Sequence, residues 1–207
     1  TDANTNANKN IQNTNTTYKY KYHSKSQTTN HKLQTTIYKS QTTKSQTTIL
    51  TPYQVNRYSR HIIMPQVGSV GQRKLLDAKV LMVGAGGLGS PISIYLTLAG
   101  VGTIGLVEFD DVDVTNLQRQ INFSKDDIGL LKIDVIENVL KSKHPDILIK
   151  KYDKKIISSF QVENIIKDSD VVLDGTDNFE VRKIINMACL QKNKKLIIGA
   201  VEGYTGQ

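Results

Sequence analysis

From Thr51 onward, short runs of consecutive apolar residues alternate with stretches in which apolar positions recur every three or four residues. Consecutive runs mark strands buried on both faces, and the longer spacing marks helices with one apolar face. Lys79–Val83 predicts a buried strand, 87–99 a helix and 103–109 a second strand. Lys132–Lys143 predicts a helix with Ile133, Ile136, Val139 and Leu140 on one side. A strand at 147–152, a helix at 159–167, a strand at 170–174, a helix at 178–191 and a strand at 195–199 complete the alternation. This succession predicts an α/β fold, a three-layer Rossmann-like and mostly parallel sheet with helices on both faces. Ligands of such sheets sit beyond the carboxyl ends of the strands, where the strand order reverses.

Residues 1–50 have a different texture, rich in Thr, Asn, Gln, Lys and Ser, with SQTT at 26–29, 40–43 and 45–48 and LQTT at 33–36. So polar a stretch buries too little apolar area to offset chain entropy, which predicts a disordered low-complexity tail ahead of one domain at 51–207. The tail holds seven Lys and one Asp, so +6 of the formal +8 lies there. The remainder is nearly neutral, and a nucleic-acid-binding fold, which needs positive charge clustered on a folded face, is not expected. The alternating Tyr18, Lys19, Tyr20, Lys21 and Tyr22 are of a kind that stacks on single strands, but a solvated tail accounts for them equally. An organellar presequence is disfavoured by the absence of Arg in this stretch. The single cysteine, Cys189, excludes an internal disulfide and a zinc knuckle. No apolar run is long enough to span a membrane, and a cytoplasmic location is the expectation.

Gly84-Ala85-Gly86-Gly87-Leu88-Gly89 follows the first predicted strand and opens a helix. Missing Cβ atoms let the backbone approach a phosphate, and the helix start offers unpaired N–H groups. Glu108, near the end of the second strand, stands where an acid accepts from ribose hydroxyls. Alone, this pattern means an adenine nucleotide, and an NAD-dependent oxidoreductase fits it too. The next residues separate the readings: Asp110 to Gln120, then Gly129-Leu-Leu-Lys132, then Asp174-Gly-Thr-Asp177-Asn178. Hydride transfer has no need of this set, whereas nucleotidyl transfer concentrates negative charge on phosphate oxygens and needs fixed cations and amide donors there. Arg119 offers a planar fork, Lys132 a compact charge, Asn116 and Gln118 neutral donors, and Asp177 a carboxylate for magnesium. Asp174 is read as a loop-ordering residue, His61 and His144 as structural, and Cys189 as a small buried hydrophobe.

RYSRHIIMPQVG at 57–68, GQRKL at 71–75, VGAGGLGSP at 83–91, AGVGTIGLVEFD at 99–110, NLQRQ at 116–120, GLLK at 129–132, DGTDNF at 174–179 and GQ at 206–207 together resemble the ThiF/MoeB/HesA adenylyltransferases, relatives of ubiquitin-activating enzymes. The resemblance implies an enzyme that uses ATP and magnesium to adenylate the C-terminal glycine carboxylate of a ubiquitin-like sulfur carrier ending in Gly-Gly. It assigns Gly84, Gly86, Gly87 and Gly89 to the phosphates, Glu108 to the ribose, and the run Thr115, Asn116, Leu117, Gln118 and Arg119, with Lys132, to nucleotide binding. Asp177 serves the metal, with Asn178 beside it. Arg60 corresponds to an arginine lent across a homodimer interface, so Arg60, Arg119 and Lys132 form the expected catalytic set. A carboxylate nucleophile is ionised at neutral pH, so no general base is required.

The family usually carries Asp where this chain has Glu108, and Gln where it has His61. It also continues beyond the GQ into two CxxC pairs for a structural zinc, ligands this sequence lacks. The expectation is therefore the N-terminal part of a longer adenylating domain. A non-catalytic partner subunit is the remaining alternative, and intact Arg119, Lys132 and Asp177 weigh against it.

Overall fold

The structure, a computed structural model, describes residues 49–207, so nearly all of the expected low-complexity tail lies outside the described residues. Three helices that apolar spacing does not announce come first: α1 (Pro52–Arg57), α2 (Ser59–Ile62) and α3 (Gly68–Asp77). A capping box starts α1, because the Thr51 hydroxyl accepts from the Gln54 N–H at 3.2 Å and the Gln54 side chain accepts from the Thr51 N–H at 3.0 Å. The strand and helix alternation follows as β1 (Lys79–Val83), α4 (Gly89–Ala99), β2 (Thr103–Val107), α5 (Lys132–Lys143) and β3 (Leu148–Tyr152). It continues with α6 (Ser159–Ile166), β4 (Val171–Asp174), α7 (Phe179–Gln191) and β5 (Lys195–Ile198), and a two-strand hairpin of β6 (Val201–Glu202) and β7 (Thr205–Gly206) ends it.

The five main strands are all parallel in the order β3-β2-β1-β4-β5. Period-two alternation divides the core. Val80 and Met82 join Ile104, Leu106 and the inner face of α5 in one apolar cluster, while Leu81 and Val83 join Val172 and residues of α6 and α7 in another. Two helical layers thus sandwich the sheet, as the periodicity predicts. The order reverses between β1 and β4, which places the ligand crevice at the loops following those two strands.

Five boundaries differ from the sequence reading by one residue and two differ by two residues, the larger two each for a local reason. β2 ends at Val107 rather than Phe109, because the Glu108 carboxylate captures the N–H groups of Phe109 and Asp110 and turns the chain. α4 starts at Gly89 rather than Gly87, because the two preceding residues belong to the glycine loop.

The N-terminal helices are fastened by polar groups. Gln72, fully buried, donates to the Ala99 carbonyl at 2.9 Å and meets His61 Nδ1 through its side-chain oxygen at 2.9 Å. Arg57 donates to the Lys143 carbonyl at 2.9 Å. Gly100 ends α4 at φ 91°, and a Cβ there would stand 2.7 Å from both Gln72 Nε2 and the Tyr58 hydroxyl, so only glycine admits this docking.

His144 closes α5 in this corner. Burial, with the Arg57 guanidinium adding to it, holds its imidazole below the ordinary histidine value. The unfolded chain therefore binds a proton more readily than the native one below about pH 6.5, and stability falls as pH drops through that value. Urea midpoints between pH 7.5 and 5.5 should show this slope, and His144→Gln should flatten it.

Candidate functional site

Gly84 leaves β1 with φ 81°, its N–H still bonded to the Val107 carbonyl at 3.0 Å. The loop then folds onto the one after β4. A Cβ on Gly89 would lie 2.3 Å from the Gly84 carbonyl oxygen, and one on Gly84 would lie 3.1 Å from the Thr176 backbone nitrogen. These two glycines are required by close backbone approach. Gly86 and Gly87 face outward instead: the atoms nearest a Cβ on Gly87 are the Arg119 side chain at 3.4–3.6 Å, and the nearest to one on Gly86 is Gln120 Nε2 at 3.6 Å.

Glu108 is 6% exposed, and its carboxylate ties the site together. Oε2 accepts from the Ala85 N–H at 2.9 Å, and Oε1 accepts from Phe109 at 2.9 Å and Asp110 at 3.1 Å. Three of its roughly four lone-pair positions are thereby used, and the remaining one is on Oε2. The residue expected to hold ribose is thus also the brace that fixes the glycine loop to the end of β2.

A 3-10 turn at Val114–Asn116 presents the next group. Asp113 accepts from the Thr115 hydroxyl at 2.6 Å and its N–H at 2.8 Å, which lowers the Asp113 carboxyl pKa, and Asn116 Oδ1 accepts from the Asp113 N–H at 3.1 Å. Leu117 packs against the core and anchors this turn. The Thr115 carbonyl accepts from both Gln118 Nε2 at 3.1 Å and Arg119 at 2.9 Å, which steers the guanidinium stem across Gly87. Asn116 keeps its amide nitrogen without a partner among the described residues.

Lys132 opens α5 and is only 5% exposed; its ammonium lies 3.3 Å from the half-exposed carboxylate of Asp110. Its own N–H donates to the Asp110 carbonyl at 3.0 Å, which locks the loop after β2 to the helix start. Asp177 is exposed, one residue past Thr176, with neither an ion pair nor a hydrogen bond among the described residues. Asn178 caps α7 by accepting from the Glu180 and Val181 N–H groups at 3.0 and 3.1 Å.

One member of the expected set stands apart. Arg60, exposed on α2, is next to His61, which is tied through Gln72 to the far end of α4. That helix has eleven residues, about 16 Å of rise from the glycine loop.

Residues 58–207 match the ThiF family across most of the chain. The chain belongs to the ThiF family. A probable molybdopterin-synthase adenylyltransferase of Porphyra purpurea is 43% identical over 151 residues, 73% of this chain and 39% of that protein. The sulfur carrier protein ThiS adenylyltransferase of Escherichia coli K12 is 42% identical over 151 residues, 73% of this chain and 60% of that one. Among solved structures, E. coli MccB with ATP superposes with a TM-score of 0.65 at 31% identity, covering 73% of this chain and 47% of its own. The chain spans about two fifths to three fifths of the length of these curated relatives.

One feature of this ThiF-family chain escapes sequence reasoning. Arg182 on α7 donates to the Thr176 and Gly199 carbonyls, joining the loops after β4 and β5. An Arg four residues after a helix cap carries no signal by itself. Asp174, 2% exposed, does order its loop as expected, accepting from the Thr176 N–H at 2.9 Å and hydroxyl at 2.7 Å. Cys189 is buried, and burial pushes its thiol pKa up, so it is a packing residue and not a nucleophile. No described helix is long and apolar enough to cross a membrane.

Proposed function

We propose that this chain carries the ATP site of an adenylyltransferase acting on a ubiquitin-like sulfur carrier. The observation that carries this reading is the Arg119 side chain laid across Gly87 at the reversal point of the sheet, with Lys132 and Asp177 on the adjoining loops. The names of the curated relatives and the ATP in the MccB structure support it.

In the reaction, a carboxylate oxygen of the carrier's terminal glycine attacks the α-phosphorus, a C–O–P linkage forms, the α–β anhydride breaks and pyrophosphate leaves. The attacking group is already an anion, so the protein's work is to place it and to neutralise charge. Arg119 and Lys132 meet the phosphate oxygens, the free amide nitrogen of Asn116 adds a neutral donor, and Glu108 Oε2 keeps one lone pair for a ribose hydroxyl. Lys132 exchanges its long contact with Asp110 for a phosphate. Asp177 has an open carboxylate suited to magnesium, which when bound supplies further positive charge beside the pyrophosphate. Arg60, remote from its own glycine loop, is assigned to the site of a second copy in a homodimer.

Calorimetric titration of the chain with ATP and magnesium, beside NADH, tests the reading. ATP binding without NADH binding is expected, followed by carrier-dependent exchange of pyrophosphate into ATP. NADH binding without ATP binding overturns it in favour of an oxidoreductase.

A further inference from the structure

We propose that the corner around His144 is an acid-released latch on the helices that carry Arg60: a proton on His144 frees α1 and α2 and so withdraws Arg60. The consequence for catalysis rests on the reading of Arg60 given above; the latch itself does not. His144, at the end of α5, is 7% exposed, and its Nδ1 is enclosed with no hydrogen-bond partner among the described residues. The carbonyl of the residue before it, Lys143, accepts from Arg57 at 2.9 Å, so a fixed cation closes the corner. Arg57 Nε is orphaned too, as is the hydroxyl of buried Tyr58, whose ring centre lies 5.6 Å from the guanidinium carbon. Burial opposes a proton on His144 most, the Arg57 charge next, and Asp146, two residues on, favours it less strongly. Tyr58 and His61, stacked at 5.8 Å, are the other titratable groups of the corner.

An imidazolium here adds a donor and a positive charge to a corner that already holds a guanidinium and offers Nδ1 no acceptor. Separating α1 from α5 relieves this, and the two sides are unequally held. α5 buries Lys132, Ile133, Val135, Ile136 and Leu140, whereas no residue of α1 or α2 is buried. The N-terminal side is fastened by Tyr58 between those helices, by the Arg57 bond to Lys143 and by the contact of His61 with Gln72, so it is the side that moves. Arg60, between Tyr58 and His61 in the chain, moves with it. His61 is not the trigger. Gln72 Nε2 donates to the Ala99 carbonyl, which turns its oxygen to His61, so Nδ1 is the donor of that contact and a proton added at Nε2 leaves it intact. The open corner takes a proton on His144 near the ordinary histidine value of about 6.5, and the latched corner only below it. The open fraction therefore rises as pH falls through that value, by at most about tenfold per pH unit for one proton.

Hydrogen exchange of the ligand-free 207-residue chain, read by mass spectrometry between pH 7.5 and 5.5 and corrected for the intrinsic rate at each pH, tests the latch. In the wild type the open fraction of residues 52–62 should rise about tenfold while β1 and α5 keep their protection. It should stay level in His144→Gln and in His144→Asn, which carry no titrating group there, and rise as in the wild type in His61→Gln. Level protection of 52–62 in the wild type overturns the latch, as does a rise that persists in both His144 variants, a rise lost in His61→Gln, or an equal opening of β1. Carrier-dependent pyrophosphate exchange should fall over the same range more steeply in the wild type than in His144→Gln, with ATP affinity level in both. An equal fall in the two proteins overturns the link to Arg60. Absence of ATP binding removes the nucleotide reading instead, and the exchange pattern of 52–62, measured without ligand, still decides the latch.

Discussion

Arg119→Ala is expected to weaken ATP binding by about 10- to 100-fold, the loss of a hydrogen-bonding charge partner, while adenosine binding stays unchanged. In pyrophosphate exchange the loss should be larger, about 100- to 1,000-fold, because charge on the phosphate oxygens grows as the anhydride breaks. The fold should survive, since the side chain is exposed and its one hydrogen bond to described residues is to the Thr115 carbonyl. Arg119→Lys should recover only part of the activity, because an ammonium lacks the planar fork and cannot both reach the Thr115 carbonyl and span two oxygens. Equal loss of ATP and adenosine affinity would place Arg119 in fold maintenance, and exchange unchanged by Arg119→Ala would remove it from the chemistry.

The largest effect on stability should come from Glu108→Ala. Three backbone N–H groups lose a charged acceptor at once, and Ala85 is itself buried. Even with water reaching Phe109 and Asp110, a loss of about 3 kcal/mol is expected in denaturant unfolding. Glu108→Gln retains the length and one acceptor oxygen, and should lose roughly half as much. ATP affinity should fall with Glu108→Ala even at temperatures where the protein stays folded, because the glycine loop loses its brace. An unfolding midpoint within experimental error of the wild type would show that the loop is held by its glycine contacts alone.

The pattern of apolar positions was sufficient for the five main strands and the four helices between them, because each buries a face whose period is written in the residues themselves. The glycine loop was legible for the same kind of reason: strand, glycines and helix follow one another locally. The helices at 52–77 were not legible. No residue of α1 or α2 is buried, α3 buries only Gln72, and the attachment runs through Arg57, Tyr58 and Gln72 to carbonyls and a glycine far along the chain. Hydrophobic periodicity has no view of such bonds. Within the site, residue type announced Arg119, Lys132 and Asp177, but the second occupation of Glu108 as a backbone acceptor depends on a meeting of residues 85 and 108 that only the folded chain makes. Arg182 was missed for that reason too, since a guanidinium is ordinary until its neighbours are known.

The pairing of β1 with β4 sets Val80 against Val171, about ninety positions apart, whereas β2 closes on β1 across some twenty-four. Closing the longer segment costs more chain entropy and depends on the intervening elements being in place, so contacts of this kind form late. The crevice proposed for the nucleotide lies at that very seam. One half, strand β1 with its glycine loop and β2 with its acid, is assembled from nearby sequence, while the Thr176–Asp177 side waits for β4 to dock. A nucleotide then has no complete seat on a partly folded chain, and ATP added during refolding should leave the folding rate unchanged while slowing unfolding.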